Sequence, residues 1–292
     1  AVLNGRFARH LSNLGLVAAG FVGYAAGLVG VWVATSTTGV LLTLGIFGVG
    51  HGLVLPSAAS ALSTPALAQE EASGPFTLSG GIDVVSDYRF RGISLSNEKV
   101  AVQPTLSVSH ESGFYAGVWG SSLPDSPLYG KFELDLFAGY SAEIASGTTI
   151  DAGVTYYMYP GNRDFAGPSD YVEFIGKLSH TLGPVGATAT VAYAPDQKSL
   201  GSEDNIYLNL GLESGIPNSP VTLLASLGYT DGSLGAVSAD GKYLDWMLGA
   251  SFAAGPATFK VQYIDTDVKK TGVKAVDTLY DPTVVFTLGF SF

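Results

Sequence analysis

The sequence lacks cysteine and is poor in charge. No Cys occurs among the 292 residues, which excludes disulfide scaffolds, thiolate zinc sites and cysteine nucleophiles. Charged residues make up 13% of the chain, about half of the roughly 25% that is usual in soluble domains. A hydrophobic content of 47% argues against a disordered chain. The composition therefore argues against both an ordinary soluble enzyme and an unfolded segment.

Basic residues are scarcer than acidic ones. The chain has 14 Lys and Arg against 25 Asp and Glu, a formal net charge of −11. Nucleic-acid binding draws its affinity from clustered basic residues, so we expect no nucleic-acid partner. The absence of thiols also suits an oxidising compartment outside the cytosol.

The first 69 residues carry no acidic residue and only two basic ones, Arg6 and Arg9. Leu14–Ala34 and Gly39–Leu55 are uncharged stretches, longer than the roughly 7–15 apolar residues of an ordinary signal peptide. About 20 apolar residues suffice for a membrane-spanning helix. A retained helical hairpin, packed through Gly23-x-x-x-Gly27, is therefore one interpretation.

A cleavage pattern favours the other interpretation, an export presequence. Ala66-x-Ala68 is a small-residue cleavage motif, and acidic residues begin immediately after it at Glu70. We predict an apolar presequence over residues 1–68 that is cleaved on export. A short linker over 69–75 and a separate domain over 76–292 follow.

From Phe76 onward the sequence alternates with the two-residue period of β-strands and shows no helical period. We count twelve such segments, the first of them predicted as one long strand over Phe76–Leu95. The last segment has one face made of Val284, Phe286, Leu288, Phe290 and Phe292, and another made of Val285, Thr287, Gly289 and Ser291. The apolar faces carry almost no charge, as lipid requires, whereas the polar faces hold charges and glycines, as a wet lumen would.

Long and short connections alternate between these segments. A soluble two-sheet sandwich also alternates in polarity, but long loops at one end and short turns at the other are typical of a transmembrane barrel. A sheet in lipid must also close, because no strand edge can remain unpaired. We predict an all-β fold, a closed antiparallel transmembrane β-barrel of about 12 strands with both termini at the periplasmic, short-turn end.

Aromatic residues stand near the ends of many segments, where interfacial girdles are expected. The predicted girdle residues are Phe114, Tyr140, Tyr159, Tyr171, Tyr229 and Tyr243.

Several motifs resemble a known family. They are Ser86-Asp87-Tyr88-Arg89-Phe90-Arg91-Gly92-Ile93-Ser94, then Gln103-Pro104, Ser112-Gly113-Phe114-Tyr115-Ala116-Gly117-Val118-Trp119-Gly120-Ser121, Glu133-Leu134-Asp135-Leu136-Phe137-Ala138-Gly139-Tyr140, Tyr157-Met158-Tyr159-Pro160-Gly161 and Asp170-Tyr171-Val172-Glu173. They are similar to the TorF-type porins, a proteobacterial outer-membrane family of Gcw-type conserved hypothetical proteins. The resemblance covers about 76–292 and implies an outer-membrane barrel that acts as a porin. It implies no particular substrate and no mapped site.

Charged residues on the polar faces are the candidate pore-lining groups. If Tyr88 and Phe90 face outward, Arg89 and Arg91 face inward, near the long-loop end. The candidate pore-lining set is Asp83, Asp87, Arg89, Arg91, Glu133, Asp135, Glu173, Lys177, Asp245 and Lys260. Arginines on one wall would then face carboxylates on others.

Two hypotheses follow from that arrangement. One is a charged constriction in an outer-membrane channel for passive diffusion of small polar solutes or ions. The other is a non-conducting structural or surface-binding barrel, whose lumen is plugged by the same charges, because twelve strands lie between a filled eight-strand barrel and an open porin.

No enzymatic motif is present in the predicted barrel. Its only histidines are His110 and His180, both beside short turns, and neither G-x-S-x-G nor H-E-x-x-H occurs. We expect no enzymatic activity, no cofactor and no metal site. The acids of the loop that begins at Asp265 lack the Gly and distal Glu of an EF-hand.

The expected partners follow from the predicted location in a bacterial outer membrane. They are the lipid bilayer and lipopolysaccharide, small polar solutes or ions, and the outer-membrane assembly machinery, which would read the C-terminal strand ending at Phe292.

The predicted interior charge gives a testable ion preference. The inward positions hold nine acids (Asp83, Asp87, Glu133, Asp135, Glu143, Asp151, Glu173, Glu213, Asp245) and five bases (Arg89, Arg91, Lys131, Lys177, Lys260), a net charge of −4. An acidic lumen concentrates cations, so we expect a mild cation preference in the reversal potential across a salt gradient. A reversal potential that favours anions would contradict it.

Overall fold

The computed structural model describes residues 74–292. The predicted presequence over 1–68 and almost all of the linker over 69–75 lie outside these residues, so both stay predictions. Among the described residues no helix is both long enough and apolar enough to cross a membrane.

Twelve antiparallel strands form one closed barrel, which confirms the predicted fold class. They are β1 (Phe76–Val85), β4 (Ala101–His110), β5 (Phe114–Ser126), β6 (Gly130–Ala145), β7 (Thr148–Met158), β8 (Tyr171–Leu182), β9 (Val185–Gln197), β10 (Glu203–Gly215), β11 (Val221–Gly232), β12 (Lys242–Ala254), β13 (Ala257–Thr266) and β14 (Thr283–Ser291). The connection after β1 contains a separate two-stranded sheet, β2 (Arg89–Phe90) and β3 (Ile93–Ser94).

The first and last strands close the sheet. Ile82 in β1 lies opposite Pro104 of β4 on one side and opposite Phe290 of β14 on the other. Beyond the last ladder pair, Gly80 N donates to Phe292 O at 3.2 Å, and Phe292 N donates to Gly80 O at 3.0 Å. The barrel therefore has no unpaired strand edge, as a sheet in lipid requires.

The outer surface of the barrel is an exposed apolar belt. Leu136, Leu210, Leu248 and Phe286 face outward on four different strands, and all four are exposed. Exposed apolar area of this extent on every side is stable where lipid covers it.

Aromatic residues border the belt at both ends. At the long-loop end the outward hydroxyls of Tyr193, Tyr229 and Tyr263 donate to Asp204, Asp231 and Asp265 respectively, at 2.8–3.2 Å. At the short-turn end the Phe114 and Tyr140 rings lie 5.0 Å apart.

The girdle prediction is wrong for three of its six residues. Tyr159, Tyr171 and Tyr243 are buried rather than exposed to lipid. They pack into clusters inside the long-loop end of the barrel, where the interior is filled.

The connections differ in length at the two ends. The long end has residues 86–100, 127–129, 159–170, 198–202, 233–241 and 267–282, and the short end has 111–113, 146–147, 183–184, 216–220 and 255–256. The connection over 127–129 is the shortest at the long end, because β5 and β6 extend toward it, with an irregular register between Ser122 and Ser126.

The last long connection contains a helix, α1 (Lys274–Asp277). The Asp277 carboxylate accepts hydrogen bonds from Thr271 N, Thr271 Oγ1, Gly272 N and Tyr280 OH at 2.7–3.0 Å. Burial raises the pKa of Asp277, but these hydrogen bonds outweigh it and lower the pKa to about 2. Asp277 therefore stays ionised and keeps this connection folded at neutral pH.

The barrel fold predicts that two adjacent positions differ in how well they tolerate arginine. Leu210 faces outward at the middle of β10, and its neighbour Asn209 faces inward. Leu210→Arg should lower the free energy of unfolding by about 2–4 kcal/mol, the usual cost of Arg on the lipid face at the bilayer midplane. Asn209→Arg should cost much less, since water reaches that side. Urea unfolding in lipid vesicles, followed by heat-modifiable gel mobility, measures both, and equal costs would argue against the lipid-facing assignment.

Candidate functional site

The connection after β1 folds into the barrel instead of extending the strand. β1 ends at Val85, so the prediction of one strand over Phe76–Leu95 is wrong. Tyr88 and Phe90, predicted to face lipid, pack against the inward-facing Trp119 and Tyr157, with ring centroids 5.5 and 6.0 Å apart. We call residues 87–96 the plug hairpin.

The plug hairpin turns at its tip through two residues with positive φ. Arg91 has φ 50° and Gly92 has φ 81°, the pattern of a type I′ turn, which favours Gly at its second central position. A Cβ at Gly92 would collide with Thr266 on β13 and touch Asp245 on β12. The tip of the hairpin therefore reaches the inner wall of the barrel at these two strands.

Arg91 at the tip forms a buried ion pair with β8. Its Nη2 donates to Glu173 Oε1 at 2.6 Å and to Oε2 at 2.7 Å, and Tyr157 OH donates to Glu173 Oε2 at 3.2 Å. The Glu173 side chain is 0% exposed and that of Arg91 is 6% exposed. Burial lowers the pKa of Arg91, but attraction and hydrogen bonding to Glu173 more than reverse this and raise it.

Aromatic rings flank the same guanidinium. Its central carbon lies 4.3 Å from the ring centroid of Tyr207 and 4.7 Å from that of Phe90. Cation–π attraction at a desolvated site adds to the ion pair, so the tip is held by charge rather than by a strand ladder.

Arg89 and Asp87 fix the base of the plug hairpin. Arg89 Nε donates to Asp87 Oδ2 at 2.5 Å, and Arg89 Nη1 donates to the carbonyls of Gly92, Leu279 and Asp281 at 3.0–3.2 Å. The other Asp87 oxygen accepts hydrogen bonds from the hydroxyls of Ser94 and Ser96 at 2.6 and 2.8 Å.

The connection that contains α1 covers the plug hairpin. Ser94 N donates to Leu279 O at 2.7 Å, and Ile93 packs in one cluster with Tyr243, Val268 and Tyr280. The hairpin is thus held between the barrel wall and the last long connection.

The interior at this level is closed on all sides. Every barrel strand contributes at least one buried, inward-facing residue from its long-loop half. One such residue per strand, in chain order, is Val85, Ala101, Ser121, Glu133, Tyr157, Glu173, Ala194, Asn205, Thr230, Asp245, Thr266 and Val285. Within residues 74–292 this conformation leaves no wide water-filled passage through the long-loop half.

The short-turn half is open by contrast. Its inward residues, which include Asp83, Asp151, Lys177, Thr188 and Lys260, are partly exposed. The lumen is therefore a vestibule that opens at the short-turn end and is closed by the plug hairpin.

The structure divides the ten candidate pore-lining residues between these two halves. Asp87, Arg89, Arg91, Glu133, Asp135, Glu173 and Asp245 are at or around the plug, whereas Asp83, Lys177 and Lys260 lie in the vestibule. All ten face the interior, and whether they line a conducting pore stays a prediction.

Three of the plug-level acids have no cationic hydrogen-bond partner. Glu133 Oε1 accepts from Tyr159 OH at 3.1 Å and Asp245 Oδ1 accepts from Tyr207 OH at 3.2 Å. Glu133 Oε2, Asp135 Oδ1 and Asp245 Oδ2 are buried without any hydrogen-bond partner among the described residues. Of the arginine–carboxylate contacts predicted across the lumen, the structure contains the ion pair of Arg91 with Glu173. Arg89 pairs instead with Asp87 inside the hairpin.

Sequence reasoning missed the residues that make the plug a hairpin. Gly92, Ser94 and Ser96 receive no structural role from the sequence, although Arg91-Gly92 between two short apolar-polar pairs is a possible two-residue turn. The alternating pattern continues through Tyr88 and Phe90 and therefore predicts a continuous strand in place of this turn.

The two histidines lie outside this site. His110 Nδ1 lies 2.7 Å from Ser112 Oγ, and His180 Nδ1 lies 2.8 Å from Thr148 Oγ1, both exposed at the short-turn end. The described residues also contain no group of three or more His, Asp or Glu placed to hold a metal.

The chain is similar to one sequence family and to several solved structures. The sequence model of a family described as "Bacterial protein of unknown function (Gcw_chp)" matches residues 69–292, whereas no curated protein matches the chain. The NanC porin is 12% identical with a TM-score of 0.49 over 74% of this chain and 99% of that chain.

Two further solved structures are similar to a comparable extent. The KdgM porin in complex with disordered oligogalacturonate is 8% identical, with a TM-score of 0.48 over 74% of this chain and 97% of that chain. The COG4313 outer membrane channel from Pseudomonas putida F1 is 12% identical, with a TM-score of 0.44 over 78% and 99%.

The ion pair at the hairpin tip predicts how the plug can be loosened. Glu173→Gln leaves Arg91 buried without its counter-charge, which typically costs about 3–5 kcal/mol. Because β2 and β3 form a sheet separate from the barrel, displacement of the hairpin would break no barrel ladder, and we expect this cost to favour the displaced hairpin. A single cysteine introduced by Ser94→Cys should then react with a maleimide at least 100-fold faster in the Glu173→Gln background.

Glu213→Gln is the matched control, because Glu213 also faces inward but is exposed in the vestibule. It should leave the labelling rate of Ser94→Cys unchanged. Equal rates in both backgrounds would mean that the ion pair does not hold the plug.

Proposed function

The chain belongs to the bacterial Gcw_chp family, and we propose that it is an outer-membrane, porin-like channel whose described conformation is closed by the plug hairpin. Its cargo would be small polar solutes or ions that diffuse passively. One observation carries the proposal. The barrel has an apolar outer surface and a polar vestibule inside, and one short segment obstructs its lumen. The resemblance to TorF-type porins points the same way.

The attachment of the plug makes it a removable obstruction. β2 and β3 pair only with each other and belong to a sheet separate from the barrel. Their release would break side-chain contacts and one backbone hydrogen bond to Leu279, and would leave every barrel ladder intact. Local opening of such a segment costs far less than unfolding of the barrel.

The ring of buried residues also supports a second candidate function. A barrel whose plug never leaves would be a non-conducting anchor or surface-binding protein. The mild cation preference remains a prediction under the channel function alone. Lipopolysaccharide contact, recognition of the C-terminal strand by the assembly machinery, and absence of enzymatic activity remain predictions under both functions.

Single-channel conductance separates the two functions. We expect the protein purified from membranes to give discrete but small or intermittent steps in a planar bilayer. Replacement of residues 89–94 by a Gly-Ser link should enlarge the steps, because the obstruction is gone. If neither protein conducts, although heat-modifiable mobility shows both to be folded, the barrel is a structural or surface-binding protein.

A reversible lock tests whether the hairpin is the gate. A Cβ at Gly92 would meet Thr266 Cγ2, so Gly92→Cys with Thr266→Cys should place two sulfurs within bonding reach, and the native chain contributes no competing Cys. Oxidation should abolish the steps and reduction should restore them. Each single-cysteine variant under the same oxidant is the control, and neither oxidation nor reduction should change its steps.

A further inference from the structure

A polar cavity of about 220 Å³ lies directly beneath the plug hairpin. Its walls are inward-facing residues of the neighbouring strands β13, β14, β1, β4 and β5, and its roof is Asp87, Tyr88 and Arg89. The volume is below the roughly 300–1,000 Å³ of pockets for drug-sized ligands, so it suits a small solute.

Two opposite charges line this cavity without a protein partner. Asp83 on β1 and Lys260 on β13 flank β14, and within the described barrel neither forms a hydrogen bond or an ion pair. The Asp83 carboxylate instead lies over Gly289, where a Cβ would collide with Oδ1. Lys260 lies opposite Thr287, two residues further along β14. Both charges are partly exposed to the vestibule.

The roof supplies a third unsatisfied group. Arg89 Nη2 is buried without a hydrogen-bond partner, although the side chain is 2% exposed and the nearest ionic contact of Nη2 is Glu98 Oε1 at 3.9 Å. Because Nη2 is buried, Arg89 contributes positive charge to the roof of the cavity rather than an exposed hydrogen-bond donor. Gln262 adds an amide that also has no partner within the described barrel.

We infer that this cavity binds a small zwitterionic solute of the α-amino acid class. The solute carboxylate would accept a hydrogen bond from Lys260 beneath the positively charged Arg89 of the roof, while its ammonium group would donate to Asp83. A simple anion would leave Asp83 unpaired and be repelled by it, and a simple cation would meet Lys260, so a molecule carrying both charges fits best. The inference rests on the proposed function, because the cavity then lies on the route of the solute through the lumen.

Three probes of one carbon skeleton test the inference on the full, folded protein in detergent micelles. They are L-alanine, propionate, which lacks the amine, and ethylamine, which lacks the carboxylate. Trp119 lines the cavity and its fluorescence reports occupancy, whereas the response should vanish in Trp119→Phe. We expect a saturable response to L-alanine, and at least tenfold weaker binding of propionate and ethylamine.

Matched variants locate the site. Asp83→Asn and Lys260→Gln should each weaken L-alanine binding at least tenfold, because each removes one charge-assisted contact. Lys177→Gln, an inward lysine of the vestibule outside this cavity, should leave it unchanged. No saturable response, equal binding of the three probes, or equal binding by all variants would overturn the inference.

The outcome is separable from that of the conductance experiment. Binding requires only the vestibule, which is open in the closed conformation, whereas conduction requires displacement of the plug. Conductance steps without selective L-alanine binding would leave the channel standing and overturn the zwitterion site. Selective L-alanine binding without conductance would support the zwitterion site and argue against passive transport through the barrel.

Discussion

The pairing of β1 with β14 is the constraint on which the rest of the structure depends. This ladder runs from Gly81 opposite Ser291 to Val85 opposite Thr287 and turns an open sheet into a barrel. Once the sheet is closed, each strand has one face toward the outside and one toward a confined interior. The two-residue period then assigns every side chain, so a shift of one residue would place Asp83 in the apolar belt and Val84 in the lumen.

The plug level contains more acidic than basic side chains. Asp87, Glu133, Asp135, Glu173 and Asp245 are buried around the hairpin, whose only cations are Arg89 and Arg91. A buried carboxyl group with an oxygen that lacks a hydrogen-bond partner destabilises a structure whether it is ionised or neutral. The closed conformation therefore carries a desolvation cost, and a fold selected only for a filled interior would contain apolar side chains at these positions. That cost lowers the free energy needed to displace the hairpin.

The sequence predicts the barrel better than the site because the two depend on different information. Alternation and turn residues are local, so the strands, their inward faces and the two ends of the barrel could be derived. The path of residues 86–100 is set by contacts far along the chain, such as Arg91 with Glu173 and Ser94 with Leu279. Tyr88 and Phe90 continue the alternating pattern of β1, although both side chains pack inside the barrel. Tyr159, Tyr171 and Tyr243 lie at or beside strand ends, as girdle residues would, but they also pack inside the barrel. Composition does not distinguish an aromatic residue that faces lipid from one that packs on a plug.

Removal of the plug would change the interior from a closed vestibule to a continuous polar surface. The groups that now hold the hairpin, among them Glu173 and Asp245, would then face water beside the partnerless charges Asp83 and Lys260. A passing solute would meet charges of both signs at successive heights rather than a uniformly acidic wall. Such an interior favours molecules that carry both charges over simple ions, because each half of the molecule finds an opposite charge while its net charge stays near zero. Under the proposed function, the same residues would close the barrel in one conformation and select its cargo in the other.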